Sequence, residues 1–279
     1  MITESTLQTK DGLSLFTKSW MIDNAKANIF FVHGFFEHCS RYDDEAKFFN
    51  QNGYNFFAYD QRTHGKSDGE IRSYIKSFDN YLNDYQIFLN TVNDFPSQNN
   101  FLFSHSMGGL VQLSYLLDNK YPIPNFRGTL FSAPLIMAAK DMAPLLQKLS
   151  GIVGTFFPKL KTVKADATAI SRDPQEIEKY KNDPLIYTEG IYAASGKNIL
   201  KQIKKIEKRF VEFDQSVIIQ HGTNDKLAEL EGSKNFITKC SSKDATFIQL
   251  QEYKHEITKD LNKENVLSAF VDWMNERIH

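Results

Sequence analysis

Residues 101–109 read Phe-Leu-Phe-Ser-His-Ser-Met-Gly-Gly (FLFSHSMGG), an apolar β-forming run over Phe101–Ser104 that breaks into small residues and continues as a helical pattern from Met107 to Asn119. A strand turning sharply into a helix around a serine is the setting of a nucleophile elbow, where a strained turn lifts the hydroxyl above the carboxyl edge of a parallel sheet. The usual pattern is G-x-S-x-G. Here it is Ser104-His105-Ser106-Met107-Gly108, with serine at the crowded first position. A helix N-terminus capped by Ser104 or Ser106 is the plainer account of the same residues. The two differ in what they demand of the rest of the chain, because an elbow needs a parallel sheet around it and a base and an acid downstream.

The rest of the chain meets the first demand. Short β-rich runs alternate with longer helical patterns, the signature of βαβ units and a mostly parallel sheet flanked by helices. Upstream, strands are expected at Ser5–Thr9 and Leu13–Trp20, joined by a turn at Asp11-Gly12, then at Asn28–His33 and Tyr54–Tyr59. Helices are expected at Tyr42–Asn52 and Tyr81–Phe95. Downstream, strands are expected at Phe126–Ser132, Val217–Gln220 and Thr246–Leu250, and a closing helix at Lys263–Arg277. Between Pro134 and Phe213 the strand rhythm stops and helical patterns take over. The chain therefore divides into an α/β core, residues 1–134 and 214–279, which the elbow would make an α/β-hydrolase core, and a helical cap expected as the inserted residues 135–213.

The second demand is met in chain order. His221-Gly222-Thr223-Asn224-Asp225 and Tyr253-Lys254-His255 each follow a predicted strand, giving the order Ser, Asp, His that this fold uses. Ionised Asp225 would hold His255 in the tautomer that accepts the Ser106 proton. Singly, Asp225 is a turn residue and His255 a surface histidine; together with Ser106, each at the carboxyl end of a strand, they form a constellation. An early strand ends in Val32-His33-Gly34-Phe35, either a plain terminating turn or a loop that aims an amide at the elbow. In the second case the backbone N–H groups of Phe35 and Met107 form the oxyanion hole.

Other histidines compete poorly for the role of base. His105 should point beneath the elbow, and His33 and His221 precede glycines and should bond locally. His64 and His38 lie in loops, and His279 ends the chain. No H-E-x-x-H or Cys-x-x-Cys spacing suggests a metal, no Gly-rich phosphate loop appears, and the proposed chemistry needs no cofactor.

Composition narrows the class. The chain has 279 residues, 41% of them apolar, enough for one large core, and no internal repeat. Its formal charge of -1 with interspersed signs gives no field for a polyanion, so nucleic-acid binding is not expected. Cys39 and Cys240 look like the thiols of a reduced intracellular protein. The polar stretch Met1–Asp11 lacks the apolar region of a signal peptide, and no run approaches the roughly 20 apolar residues of a membrane span. A cytoplasmic protein that touches membranes peripherally is expected.

The residues as a set resemble the monoacylglycerol lipase and lysophospholipase group of α/β hydrolases. The resemblance is carried by His33-Gly34-Phe35-Phe36-Glu37-His38 with Arg41-Tyr42, by Tyr59–Gly69 (YDQRTHGKSDG) and by Ser104–Gly109. Ser171-Arg172-Asp173-Pro174 with Tyr180–Tyr187 (YKNDPLIY) and the loops at Asp225 and His255 complete it. It runs from about residue 12 to residue 275. Thr63 stands where the group usually has glycine, Ser104 replaces the elbow glycine, Cys39 sits where serine is common, and Thr258 replaces a second histidine found in some members.

The resemblance implies a small lipid ester as substrate, with Glu37, Arg41 and Tyr180 at the polar end of the pocket that receives the glycerol head group. Glu37 and Arg41 paired with each other, merely fixing the loop, is the competing account, and Tyr180 would serve equally as cap core. No obligate protein partner is implied. In the cap, Met142, Leu145, Leu146, Leu149, Ile152, Val153, Phe156, Phe157 and Leu160 recur at helical spacing among Lys148, Lys159, Lys161 and Lys164. Packing of this face on the core is the expectation; the alternative is an exposed apolar lip for acyl chains. The basic run Lys197–Arg209 reads as a solvated helix face. The chemistry expected is acyl transfer through Ser106, on monoacylglycerols first, with lysophospholipids or simple carboxylic esters as the alternative and a silent hydrolase-like binding protein as the remote one.

Overall fold

The computed structural model describes residues 1–91, 99–137, 153–164 and 166–278. Eight strands form one sheet: β1 (Ile2–Gln8), β2 (Ser14–Trp20), β3 (Ala27–Val32), β4 (Tyr54–Tyr59), β5 (Asn99–His105), β6 (Gly128–Ser132), β7 (Val217–Gly222) and β8 (Ala245–Leu250), in the order β1-β2-β4-β3-β5-β6-β7-β8. The first hairpin runs antiparallel, as does the β2–β4 pair, and every other neighbour is parallel. Gly12, at φ +85°, makes the hairpin turn that a residue with a Cβ would resist.

Strands β3 to β6 are almost wholly buried and carry central apolar runs, because helices cover both faces and leave no solvated side to alternate toward. One face packs on α1 (Asp43–Gln51) and the closing helix Lys263–Asn275, with Phe49, Phe103, Phe270 and Trp273 in one buried cluster. The other packs on α2 (Phe78–Asn90), α3 (Met107–Leu116) and the helix Leu230–Lys239, around Tyr81, Leu110 and Phe236. The expected helix from Tyr81 starts earlier, because Phe78 is buried against Tyr81. The residues called at its far end, 92–95, lie outside the described residues.

Between β6 and β7 the described residues contain no strand of the sheet. They contain helices Pro174–Asn182 and Ala193–Glu207. The first is capped by Asp173, whose carboxylate accepts the Gln175 amide, and has Pro174 at its first turn. The second turns Ile199, Ile203 and Ile206 into the core cluster beneath α2 and α3, and its lysines 201, 204 and 205 into solvent.

On the stretch 142–160, Met142, Leu145, Leu146, Lys148, Leu149 and Ile152 lie outside the described residues. The remainder departs from the expectation that this face packs on the core. Phe156 is 72% exposed, Phe157 63% and Leu160 52%. Helical spacing shows that such residues share a side; it carries no information about whether anything covers that side.

Candidate active site

Ser106 stands between β5 and α3 with φ 52° and ψ -120°. A non-glycine residue in so sparsely populated a region costs on the order of 1–3 kcal/mol, so the surroundings must hold it there. They do: the Ser106 amide donates to the Ser132 carbonyl at 3.1 Å, and its own carbonyl accepts from the Leu135 amide at 2.9 Å. The helix after it can approach β3 only because Gly108 has no side chain. A Cβ there would lie 2.2 Å from the Val32 carbonyl oxygen.

The loops after β7 and β8 bring Asp225 and His255 to this turn. His255 Nε2 lies 2.8 Å from Ser106 Oγ, and His255 Nδ1 lies 2.7 Å from Asp225 Oδ2. The other Asp225 oxygen accepts from the amides of Leu227 and Ala228, at 2.8 and 3.0 Å. Sequence reasoning missed a further partner, His221, whose Nε2 lies 3.1 Å from Asp225 Oδ2 while the Ser233 hydroxyl lies 2.8 Å from its Nδ1. Since a carboxylate only accepts, His221 carries its proton on Nε2 and accepts from Ser233 on Nδ1. The signal was the i, i+4 spacing of His221 and Asp225 across a tight loop.

Burial works against an ionised Asp225, but attraction to His255 and hydrogen bonds from His221 and His255 hold its pKa well below the usual carboxylate range. Burial likewise lowers His255, yet Asp225, with help from Glu256 and Glu37, lifts its pKa above the ordinary histidine value. Three of the rival histidines, His105, His33 and His64, are held neutral by burial. Burial lowers His105 to about 3, and its Nδ1–H donates to the Ser132 carbonyl at 3.0 Å. It lowers His33 to about 4 and His64 to about 3. His33 donates to the Gly34 carbonyl and accepts the Gln61 amide. His279 lies outside the described residues.

Ser106 and His255 open into a cavity of about 270 Å³. Its wall is largely apolar, with Phe35, Leu135, Ile170, Ile199 and Leu200 from the core and the inserted segment, and Glu37, Tyr180 and Glu256 at its buried polar end. The amides of Met107, at the unpaired start of α3, and of Phe35 have no protein acceptor among the described residues. Both residues stand beside Ser106, Met107 next in chain and Phe35 on the same cavity wall.

Of the three residues implied by resemblance, Glu37 and Tyr180 line the cavity, whereas Arg41 lies behind the wall. Its guanidinium donates from Nη1 to Glu37 Oε2 at 2.8 Å and makes a double bond pair to Glu256, at 2.7 and 2.8 Å, with the Tyr180 ring 4.9 Å away. Glu37 also accepts the Gly34 amide and the Tyr42 hydroxyl, so it braces the loop that carries Phe35. Thr258 is turned from the cavity and donates to Glu45. Segments carrying the resemblance meet in space: His38 Nε2 lies 2.8 Å from Asp183 Oδ2, and the Phe36 and Tyr187 rings are 5.8 Å apart. Thr63 sits at φ +66°, which accounts for glycine being usual there in the group it resembles.

A hydroxyl, an imidazole and a buried carboxylate in relay at the carboxyl edge of a mostly parallel sheet define a serine hydrolase of the α/β-hydrolase fold. A family model described as Serine aminopeptidase, S33 matches residues 23–262, and the chain belongs to that family. It is 30% identical over 277 residues to the monoglyceride lipase of Rattus norvegicus, covering 98% of this chain and 90% of that protein. To the monoacylglycerol lipase of Mycolicibacterium smegmatis it is 24% identical, covering 94% and 93%. A solved structure of a soluble variant of monoglyceride lipase from Saccharomyces cerevisiae, in complex with a substrate analog, superposes with a TM-score of 0.89 at 21% identity, over 100% of this chain and 96% of that one.

Proposed function

We propose that the protein hydrolyses the acyl ester of monoacylglycerols by a two-step acyl transfer. The observation that carries this is the Ser106–His255–Asp225 relay opening into a cavity with an apolar wall and a buried polar end. Near-full-length similarity to proteins named monoglyceride lipases supports it. Ser106 attacks the ester carbonyl while His255 takes its proton, and Asp225 stabilises the imidazolium that results. The amides of Phe35 and Met107 receive the oxyanion. His255 returns the proton to the departing glycerol, and water then releases the fatty acid. Apart from the substrate and water, every step uses only this chain's own groups.

In this reading residues 135–213 form the cap over the cavity, to which Ile170, Tyr180, Ile199 and Leu200 contribute wall. The exposed Phe156, Phe157 and Leu160 beside Lys159 and Lys161 form the face that meets a lipid surface. Among the described residues no helix is long and apolar enough to cross a membrane.

Three esters sharing one acyl chain, together with an aminoacyl arylamide, test the assignment. Monoacylglycerol should be turned over with the highest kcat/KM, ahead of the lysophospholipid, the methyl ester and an aminoacyl arylamide. Preference for the lysophospholipid or the methyl ester would move the protein to the neighbouring esterase classes, and preference for the amide would make it a peptidase.

A further inference from the structure

Glu256 follows the base directly in sequence, lines the same cavity as Ser106 and is 4% exposed. A buried carboxylate needs a partner to stay ionised, and Arg41 supplies one through both of its terminal nitrogens. Burial raises the Glu256 pKa, but Arg41 outweighs it and brings the group down to about 2. Yet Arg41 is shared. Its Nη1 also serves Glu37, whose other oxygen is taken by the Gly34 amide and the Tyr42 hydroxyl.

The next layer does not make up the deficit. Lys259 is paired with Glu45, which also accepts the Thr258 hydroxyl. Three buried carboxylates, Glu37, Glu45 and Glu256, thus share two cations, Arg41 and Lys259. The cations are turned away from the cavity, while Glu37 and Glu256 line it. Lys164, Asp166 and Lys226 also line it, but on the exposed rim, where water and salt screen them.

We propose that the Glu37–Arg41–Glu256 chain leaves the polar end of the cavity with an uncompensated negative charge, and that this charge selects esters whose alcohol is neutral or cationic against those whose alcohol carries an anion. This rests on the assignment of Ser106 as nucleophile in the same cavity. A charge meeting another at about 6 Å in a medium of effective dielectric about 20 changes an equilibrium on the order of 100-fold, so a discrimination of at least about tenfold is expected after screening. The same chain joins the loop carrying Phe35 to the loop carrying His255, so Arg41 is in addition a positioning residue.

The test compares kcat/KM for one acyl chain offered as its glycerol ester, its choline ester and its glycerol phosphate ester, on wild type, Glu256→Gln and Arg41→Lys. Wild type should disfavour the phosphate ester by about tenfold or more relative to the other two, less so at high salt. Glu256→Gln keeps the shape and removes the charge, so it should bring the phosphate ester close to parity with the glycerol ester. Arg41→Lys keeps the charge balance but loses the double bond pair; it should lower kcat on all three and leave their ratio unchanged. Equal use of the phosphate and glycerol esters by wild type, or an unchanged ratio in folded Glu256→Gln, would overturn the proposal. If Glu256→Gln does not fold, the wild-type comparison decides alone. Hydrolysis of none of the three esters by wild type would instead refute the esterase assignment on which the proposal rests.

Discussion

The carboxyl edge of the sheet and the outer edge of the inserted segment are built on opposite principles. Ser106 and His255 are 7% and 5% exposed, and each is fixed by its neighbours through hydrogen bonds whose loss would move the reacting atoms. Phe156 and Phe157, by contrast, are 72% and 63% exposed and are not among the residues lining the cavity at Ser106. At the first edge, function requires geometry held to a fraction of an ångström, which burial supplies at the cost of backbone strain at Ser106. At the second, apolar surface is left in water, which the proposed encounter with a lipid surface would cover. Variants at the two edges should therefore fail in different ways, one in kcat on every substrate and the other only where substrate is presented in an aggregate.

The largest expected effect sharpens the first half of that contrast. Ser106→Ala should lower kcat by on the order of 10⁶ on monomeric and aggregated substrates alike, without lowering the melting temperature, which stopped-assay kinetics and calorimetry check together. Asp225→Asn should cost about 10⁴ in kcat, because an amide in place of the carboxylate supports the wrong imidazole tautomer. An effect below tenfold would mean that a different carboxylate orients the base.

A pH profile follows from the direction of the His255 shift. The base works only when neutral, and its pKa lies above the ordinary histidine value, so kcat/KM should rise with pH through a midpoint above about 6.5. A midpoint below that value would contradict the account of how Asp225 and Glu256 act on it. His221→Ala should be milder, about tenfold in kcat with KM little changed, because it removes one of several hydrogen bonds holding Asp225.

The smallest effect belongs to the other edge. Replacing Phe156 and Phe157 with serine should leave kcat/KM on a short soluble ester and the melting temperature nearly unchanged, and raise the apparent KM on monoacylglycerol in vesicles roughly tenfold. A loss of stability, or equal losses on both substrates, would erase the distinction between the two edges.

The same contrast explains what could be read from the amino acids. The strands, the elbow and the order of Ser106, Asp225 and His255 were legible because each is enforced locally, by apolar runs covered on both faces or by turns that accept few residue types. The role of Glu37 and Arg41 stayed open between head-group contact and mutual pairing, because both accounts use the same charges at i, i+4 spacing. Glu256 adds a partner that neither account included, arriving 215 positions later in the chain to take two of the Arg41 guanidinium bonds. Its partnership is long-range and leaves no local trace, as does that of His38 with Asp183, 145 positions apart. The solvent-facing aromatics were misread for the complementary reason: periodicity reports which side chains share a face, and only the rest of the fold decides whether that face is covered.

The central claim, that hydrolysis of monoacylglycerol passes through an acyl-enzyme on Ser106, is tested most directly by mass spectrometry of the quenched enzyme. Wild type and His255→Ala would be mixed with a monoacylglycerol, quenched within milliseconds, digested and mapped. The account predicts an acyl adduct on the peptide containing Ser106 in wild type, formed before free fatty acid accumulates, and none in His255→Ala. An adduct on another residue, or fatty acid released with no adduct formed at any time, would contradict it.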